Sequence, residues 1–361
     1  MAQHTRFIAP PFSSSVAGGN WQVDSPRLSL TGMSGLARAW EQETNHLEAG
    51  CTVLSIVCWR IGNARMKESA ACTAAVSGYP GSMADPLRLL VIGAHPDDAE
   101  YRAGGLAAHY RRLGHDVKFV SVTNGDAGHH AMNASDLACR RRLEAEAAAQ
   151  VCDIAYEIWD HHDGELQPTI EVRRQVIRLI RQYRPDLVLT HRLNDYHPDH
   201  RATAQIVQDA AYMVTVPRIC SETPHLARDP AIMYLADEFR KPTAFEPMVA
   251  IDIDEVIDLK LAMLHRHTSQ MYEWLPYNEG RSDEVPRADA GRLAWLGKWL
   301  VERGSRPHHF AVLLGELYGT ERARKIEWVE AFEPSEYGRP VDRALCAKLF
   351  PFVPGVMGRA H

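Results

Sequence analysis

Two short clusters in this chain carry residues that could do acid–base or metal chemistry: His95-Pro96-Asp97-Asp98, followed by Ala99-Glu100, and His197-Pro198-Asp199-His200. Either cluster alone reads equally well as a helix N-cap or a solvated polar turn, because Asp is a preferred capping residue. Taken together they can do more. A catalytic zinc takes three nitrogen or oxygen ligands from the protein and keeps one position open. His95, Asp98 and His200 supply two imidazoles and a carboxylate for that purpose. Asp97 is then left as a general base and His197 as a general acid or oxyanion stabiliser. Asp199 can orient a ligand histidine from behind. A metal so held lowers the pKa of water to about 7, which gives a nucleophile at neutral pH.

For this chemistry to occur, elements far apart in sequence must bring the clusters together. An apolar run over 87–92 ends in Gly93, directly before the first cluster. Further apolar runs over 117–122, 154–159 and 186–190 read as strands. Between them, 99–113, 137–150 and 170–183 have helical composition, and 201–212 follows the second cluster as another helix. Both clusters thus follow a strand and precede a helix. This βαβα alternation predicts an α/β fold with a mostly parallel sheet flanked by helices. Later runs over 232–235 and 248–253 read as strands, with helices over 255–267 and 292–302.

Five motifs in order resemble the PIG-L (LmbE-like) deacetylase family. Ala94-His-Pro-Asp-Asp-Ala-Glu100 is similar to the family's AHPDD(x)E signature, and His197–His200 to its HxDH signature. Thr123-Asn-Gly-Asp-Ala-Gly128, Arg141-Arg-Leu-Glu144 and Asp163-Gly-Glu-Leu166 resemble its TNGDAG loop, RxxE helix and DGxL turn. Ala99 stands between Asp98 and Glu100, where relatives often carry Glu directly after the Asp pair. The resemblance implies a Rossmann-like fold without a nucleotide. It also implies a zinc ion (or Fe²⁺ or another divalent metal) on His95, Asp98 and His200, with Asp97 as base and His197 at the oxyanion. Asp126 and Arg141 become candidates for substrate contact. His267, Gln270 and Trp274, in an HxSQ…EWLP pattern that some members share, become candidates for a sugar pocket. The substrate implied is a small N-acylated amino sugar or its conjugate, of the N-acetylglucosamine type.

Composition narrows the alternatives. A net charge of -6 and the absence of a dense Lys/Arg tract argue against nucleic acid. No apolar run approaches the roughly 20 residues needed to span a bilayer. Seven cysteines with no CxxC fit a reducing, cytoplasmic setting better than a disulfide framework. Residues 1–82, rich in Pro, Ser and Gly and with a helical stretch over 35–48, read as an irregular, poorly ordered extension. The domain is expected over 83–361, and a homo-oligomer is an open expectation. Two rival readings use the same residues. One is a two-His, one-carboxylate Fe(II) oxygenase, which the helix-rich alternation opposes. The other is a non-catalytic sugar-binding member of the same fold, which would lack a ligand or the base. A dinucleotide dehydrogenase is excluded by His-Pro-Asp-Asp in place of GxGxxG after the first strand.

Overall fold

The computed structural model describes residues 85–303 and 307–356. The extension and its helix over 35–48 lie outside the described residues. A seven-stranded sheet runs in the order β3-β2-β1-β4-β5-β7-β6. β1 (Arg88–Gly93), β2 (Asp116–Thr123), β3 (Ala155–His161), β4 (Leu187–Thr190) and β5 (Ala231–Leu235) are all parallel. β7 (Val329–Pro334) is antiparallel to both of its neighbours, β5 and β6 (Val249–Asp252). The sheet is therefore mixed, with the predicted parallel part making up five of the seven strands.

The strand sequences explain why both faces are covered. Successive side chains alternate across a strand. In β1, Leu89 and Val91 enter one core and Leu90 and Ile92 the other. All four are fully buried, each worth about 1.5–3 kcal/mol relative to exposure. One face is covered by α1 (Asp98–Arg112), α2 (Ala134–Val151) and α5 (Ile257–Arg266), through residues such as Leu106, Ala148 and Met263. The other is covered by α3 (Ile170–Tyr183) and α4 (Pro198–Ala211), through Val176, Ile180, Ile206 and Val207.

Local signals set the helix ends. The Asn133 side chain accepts from Asp136 N–H at the start of α2, and Thr169 accepts from Val172 N–H at the start of α3. α3 stops at Arg184, which is left-handed (φ 55°) and precedes Pro185. After α5 the chain makes a wide helical turn over Ser269–Trp274, followed by α6 (Asp289–Arg303), α7 (Ala311–Tyr318) and α8 (Arg343–Leu349). α7, α8 and β7 were not anticipated from sequence. His308 and His309 lie in a 3-10 turn, Pro307–Phe310. No helix among the described residues is long and apolar enough to cross a membrane.

Candidate metal and catalytic site

Strand order locates the site before any side chain is considered. β1 and β4 are neighbours, but the order runs away from them in opposite directions, to β2 and β3 on one side and to β5 on the other. Ligands of open α/β sheets bind in the crevice that such a reversal opens beyond the carboxyl ends of the strands. The first cluster leaves β1 at this point, and the segment leading to the second leaves β4.

His95, Asp98 and His200 converge there. His200 Nε2 lies 3.2 Å from His95 Nδ1 and 3.4 Å from Asp98 Oδ1. His95 Nδ1 lies 3.5 Å from Asp98 Oδ2. A tetrahedral zinc with bonds of about 2.0–2.1 Å separates its ligand atoms by about 3.3 Å. The three donors therefore already stand at the spacing such an ion requires. Their other atoms are engaged from behind. His95 Nε2 is 3.2 Å from Asp199 Oδ2 and 3.2 Å from Asp163 Oδ1. His200 Nδ1 is 3.1 Å from Asp195 Oδ1. Histidines that bind metals commonly give the second ring nitrogen to a carboxylate in this way. Asp98 Oδ2 accepts from Ala94 N–H at 2.9 Å and His95 N–H at 2.8 Å.

Other donor groups overlap this one. His95, His197 and His200 have donor atoms within 4.8 Å of one another, as do Asp98, His191 and His200, and a set with Asp163 and Asp199 gathers around His95 and His197. Their hydrogen bonds differ from those of the first set. His197 Nδ1 accepts from Asp199 N–H at 3.2 Å. His191 Nε2 shares the Ala94 N–H at 3.2 Å. Asp163 and Asp199 meet His95 on Nε2, away from His200.

Asp97 sits beside the donors in a backbone conformation that residues with a Cβ rarely adopt, φ 152°. Such strain persists only where the surroundings enforce it. Here the enforcing group is Arg141, which donates to Pro96 O at 2.9 Å and lies 3.3 Å from Asp97 Oδ1. Burial raises the Asp97 carboxyl above its ordinary range, and the Arg141 guanidinium works against that rise. His197 is the N-cap of α4. Because its Nδ1 accepts, the neutral ring carries its proton on Nε2 and can donate there. Burial, with His95 and His200 nearby, holds this imidazole below its usual value and favours the neutral form.

Residues 90–211, which contain all of these groups, match the family model PIG-L, described as GlcNAc-PI de-N-acetylase. Over this segment the chain is similar to the PIG-L family. A diacetylchitobiose deacetylase of Thermococcus kodakarensis is 29% identical over 210 residues, 54% of this chain and 75% of the relative. A 4-oxalmesaconate hydratase of Pseudomonas putida is 26% identical over 52% of this chain and 76% of its own length. Among solved structures, N,N'-diacetylchitobiose deacetylase from Pyrococcus horikoshii shares the fold, with a TM-score of 0.53 and 21% identity over 70% of this chain and 84% of that one.

The other predicted residues lie around and behind the donors. Arg141 is almost fully buried, and it also donates to Gly125 O at 3.1 Å. Gly125 has φ +72°, and a Cβ there would fall 2.3 Å from Arg141 Nη1. Asp126 is 2.6 Å from His162 Nδ1 and accepts from Asp163 N–H at 2.9 Å. His267, expected on a pocket wall, is instead fully enclosed and bonded to Glu100 at 2.8 Å. Gln270 is also interior and donates to Gly128 O at 3.0 Å. These residues brace the Gly-rich loop from inside. Trp274 is half-buried, its ring 6.1 Å from that of Tyr277. Sequence reasoning missed Asp163, His191 and Asp195 as parts of the site. A usable signal existed, since each lies just beyond the end of a parallel strand.

Proposed function

We propose that this protein is a metal-dependent hydrolase that removes an acyl group, acetyl in the simplest case, from an N-acylated amino sugar or its conjugate. Residues 83–361 form the catalytic unit in this reading, acting in the cytoplasm, with zinc as the preferred ion and Fe²⁺ as the alternative. The observation that carries it is the spacing of His95, Asp98 and His200, with a base and a donor beside them. When bound, a divalent ion supplies Lewis acidity that polarises the amide carbonyl and acidifies water.

The protein's own groups do the rest. Asp97 takes the proton of the attacking water and returns it to the departing amine. Base catalysis of this kind contributes about 100- to 10,000-fold. His197 Nε2–H donates to the oxygen that gains charge as the carbonyl becomes tetrahedral. Arg141 holds Asp97 in its strained position, and Asp195 and Asp199 fix the ring orientations of His200 and His95. The deacetylase relatives support this reading. The hydratase relative supports a second one, because water activated at such a site can also add to a carbon–carbon double bond.

Acetate release from a panel of N-acetyl sugars, with and without a chelator, separates the two. Chelator-sensitive acetate is expected. Failure to release acetate from any member, alongside hydration of an unsaturated acid, would replace the first reading with the second.

A further inference from the structure

A cavity is lined by Tyr101 and Arg102 of α1, Asp237 beyond β5, Lys260 of α5, and Trp328 and Glu330 at the start of β7. Its walls lead to the cluster by two routes. Arg102 is one helical turn from Asp98, about 6 Å along α1. Asp237 accepts from Arg192, the neighbour of His191, at 2.9 Å. Phe239, in the same loop as Asp237, stacks on Tyr196 with centroids 6.4 Å apart, and the Tyr196 ring in turn is 5.6 Å from those of His197 and His200. Tyr196 and Phe239 are among the exposed large apolar side chains, so together they form an exposed aromatic strip that runs from His197 and His200 to the loop carrying Asp237.

Most polar groups of the cavity are satisfied. Glu330 pairs with Lys260 Nζ at 2.6 Å and accepts from Gly105 and Leu106 N–H, both at 2.8 Å. Two groups differ. Asp237 has a side chain only 5% exposed, and its Oδ1 takes both Arg192 and Phe239 N–H. Its Oδ2 is buried without a hydrogen-bond partner, and an unpaired buried acceptor of this kind is costly. The Arg102 guanidinium lies 4.7 Å over the Tyr101 ring, with no carboxylate within ion-pair distance among the described residues. Asp237 Oδ2 and the Arg102 guanidinium thus give the cavity wall an acceptor and a donor that the protein leaves unpaired. The enclosed space is about 50 Å³, enough for about four water-sized groups and too small for a second sugar ring. Asp237 and Glu330 disfavour an anion, and Arg102 and Lys260 disfavour a cation. A hydroxyl, which donates and accepts, matches both unused groups.

We infer that this cavity is a subsite for a neutral hydroxymethyl arm of the substrate, whose hydroxyl donates to Asp237 Oδ2 and accepts from Arg102. The inference rests on the amino-sugar hydrolase reading and narrows it. The substrate is a hexosamine derivative with its primary hydroxyl free, its ring lying along Tyr196 and Phe239 while the acylated amine faces the donor cluster.

The test compares acetate release from N-acetylglucosamine, its 6-deoxy analogue and its 6-phosphate. The full-length, metal-loaded protein should favour the parent sugar at least tenfold in kcat/KM over both. Arg102→Leu should shrink that preference toward unity by lowering turnover of the parent sugar most. Asp237→Asn keeps the Oδ1 acceptor for Arg192 but turns the free acceptor into a donor, and should shrink the preference similarly. Equal use of parent and 6-deoxy sugars by the wild type, or an unaltered preference in both variants, overturns the subsite while leaving the hydrolase reading intact. If no sugar releases acetate, the hydrolase reading fails and calorimetric titration decides the subsite. Tighter binding of N-acetylglucosamine than of its 6-deoxy analogue supports it, and equal or absent binding rejects it.

Discussion

Asp98 and Glu100 stand two residues apart at the start of α1, and each meets a histidine from far along the chain. Asp98 faces the crevice, 3.4 Å from His200. Glu100 faces the interior, 2.8 Å from His267, and both of those side chains are fully enclosed. Two residues on a helix are separated by about 200° of rotation, so the two pairs point to opposite sides. The crevice pair has a second imidazole, His95, and the strained Asp97 beside it. The interior pair has Tyr156 OH at 3.4 Å and packed protein. An acid paired with a histidine therefore says little about role. What separates a reactive pair from a structural one is which side of the helix it occupies and what else converges there.

The strongest challenge to this contrast is His200→Ala. It should abolish bound metal and reduce turnover by at least about 1,000-fold, the range seen when a member of a catalytic unit is removed, while circular dichroism stays native. Retention of metal on elemental analysis would show that the crevice trio does not hold it. Asp97→Asn sharpens the same side. Metal stoichiometry should stay at the wild-type level while kcat drops about 100- to 10,000-fold. Loss of metal in this variant would make Asp97 a ligand instead of a base.

On the interior side, His267→Ala leaves Glu100 buried without its partner and should cost about 3–5 kcal/mol of stability. Denaturant unfolding would measure it, and metal content at low temperature should be unaffected. A metal-free but fully stable variant would reverse the assignment of the two pairs. A smaller effect is expected of Gly125→Ala, which forces a Cβ into Arg141 at a positive φ. We expect about 1–3 kcal/mol of destabilisation, together with a lower kcat, because Arg141 can no longer grip Asp97. An unchanged melting temperature and unchanged kcat would mean that Arg141 does not act as that strut.

Much of the first half was legible because its signals are local. The apolar runs that became β1, β2 and β4 are buried on both faces and need no partner to be recognised, and the polar clusters follow β1 and β4. The same logic failed where stability depends on distant partners. β7 places Glu330 within a buried strand, and its charge is matched by Lys260 and by two N–H groups of α1. No pattern within 329–334 reveals that compensation. His267 and Gln270 were expected to line a pocket, since polar residues near aromatic ones suggest a sugar site, but the wide turn at Ser269–Trp274 directs them inward. Asp163 and Asp195 follow parallel strands, but only the strand order reveals that they face His95 and His200.

His197 holds two posts at once, since the same ring closes the first turn of α4 and presents Nε2–H to the crevice. Histidine is not among the side chains that close helices best, whereas Asn, Asp and Ser are. Replacement by one of those would firm the end of the helix and silence the donor together. A search for heat-resistant versions of this protein would therefore be drawn toward position 197, and would there trade the donor that the proposed hydrolysis uses for rigidity.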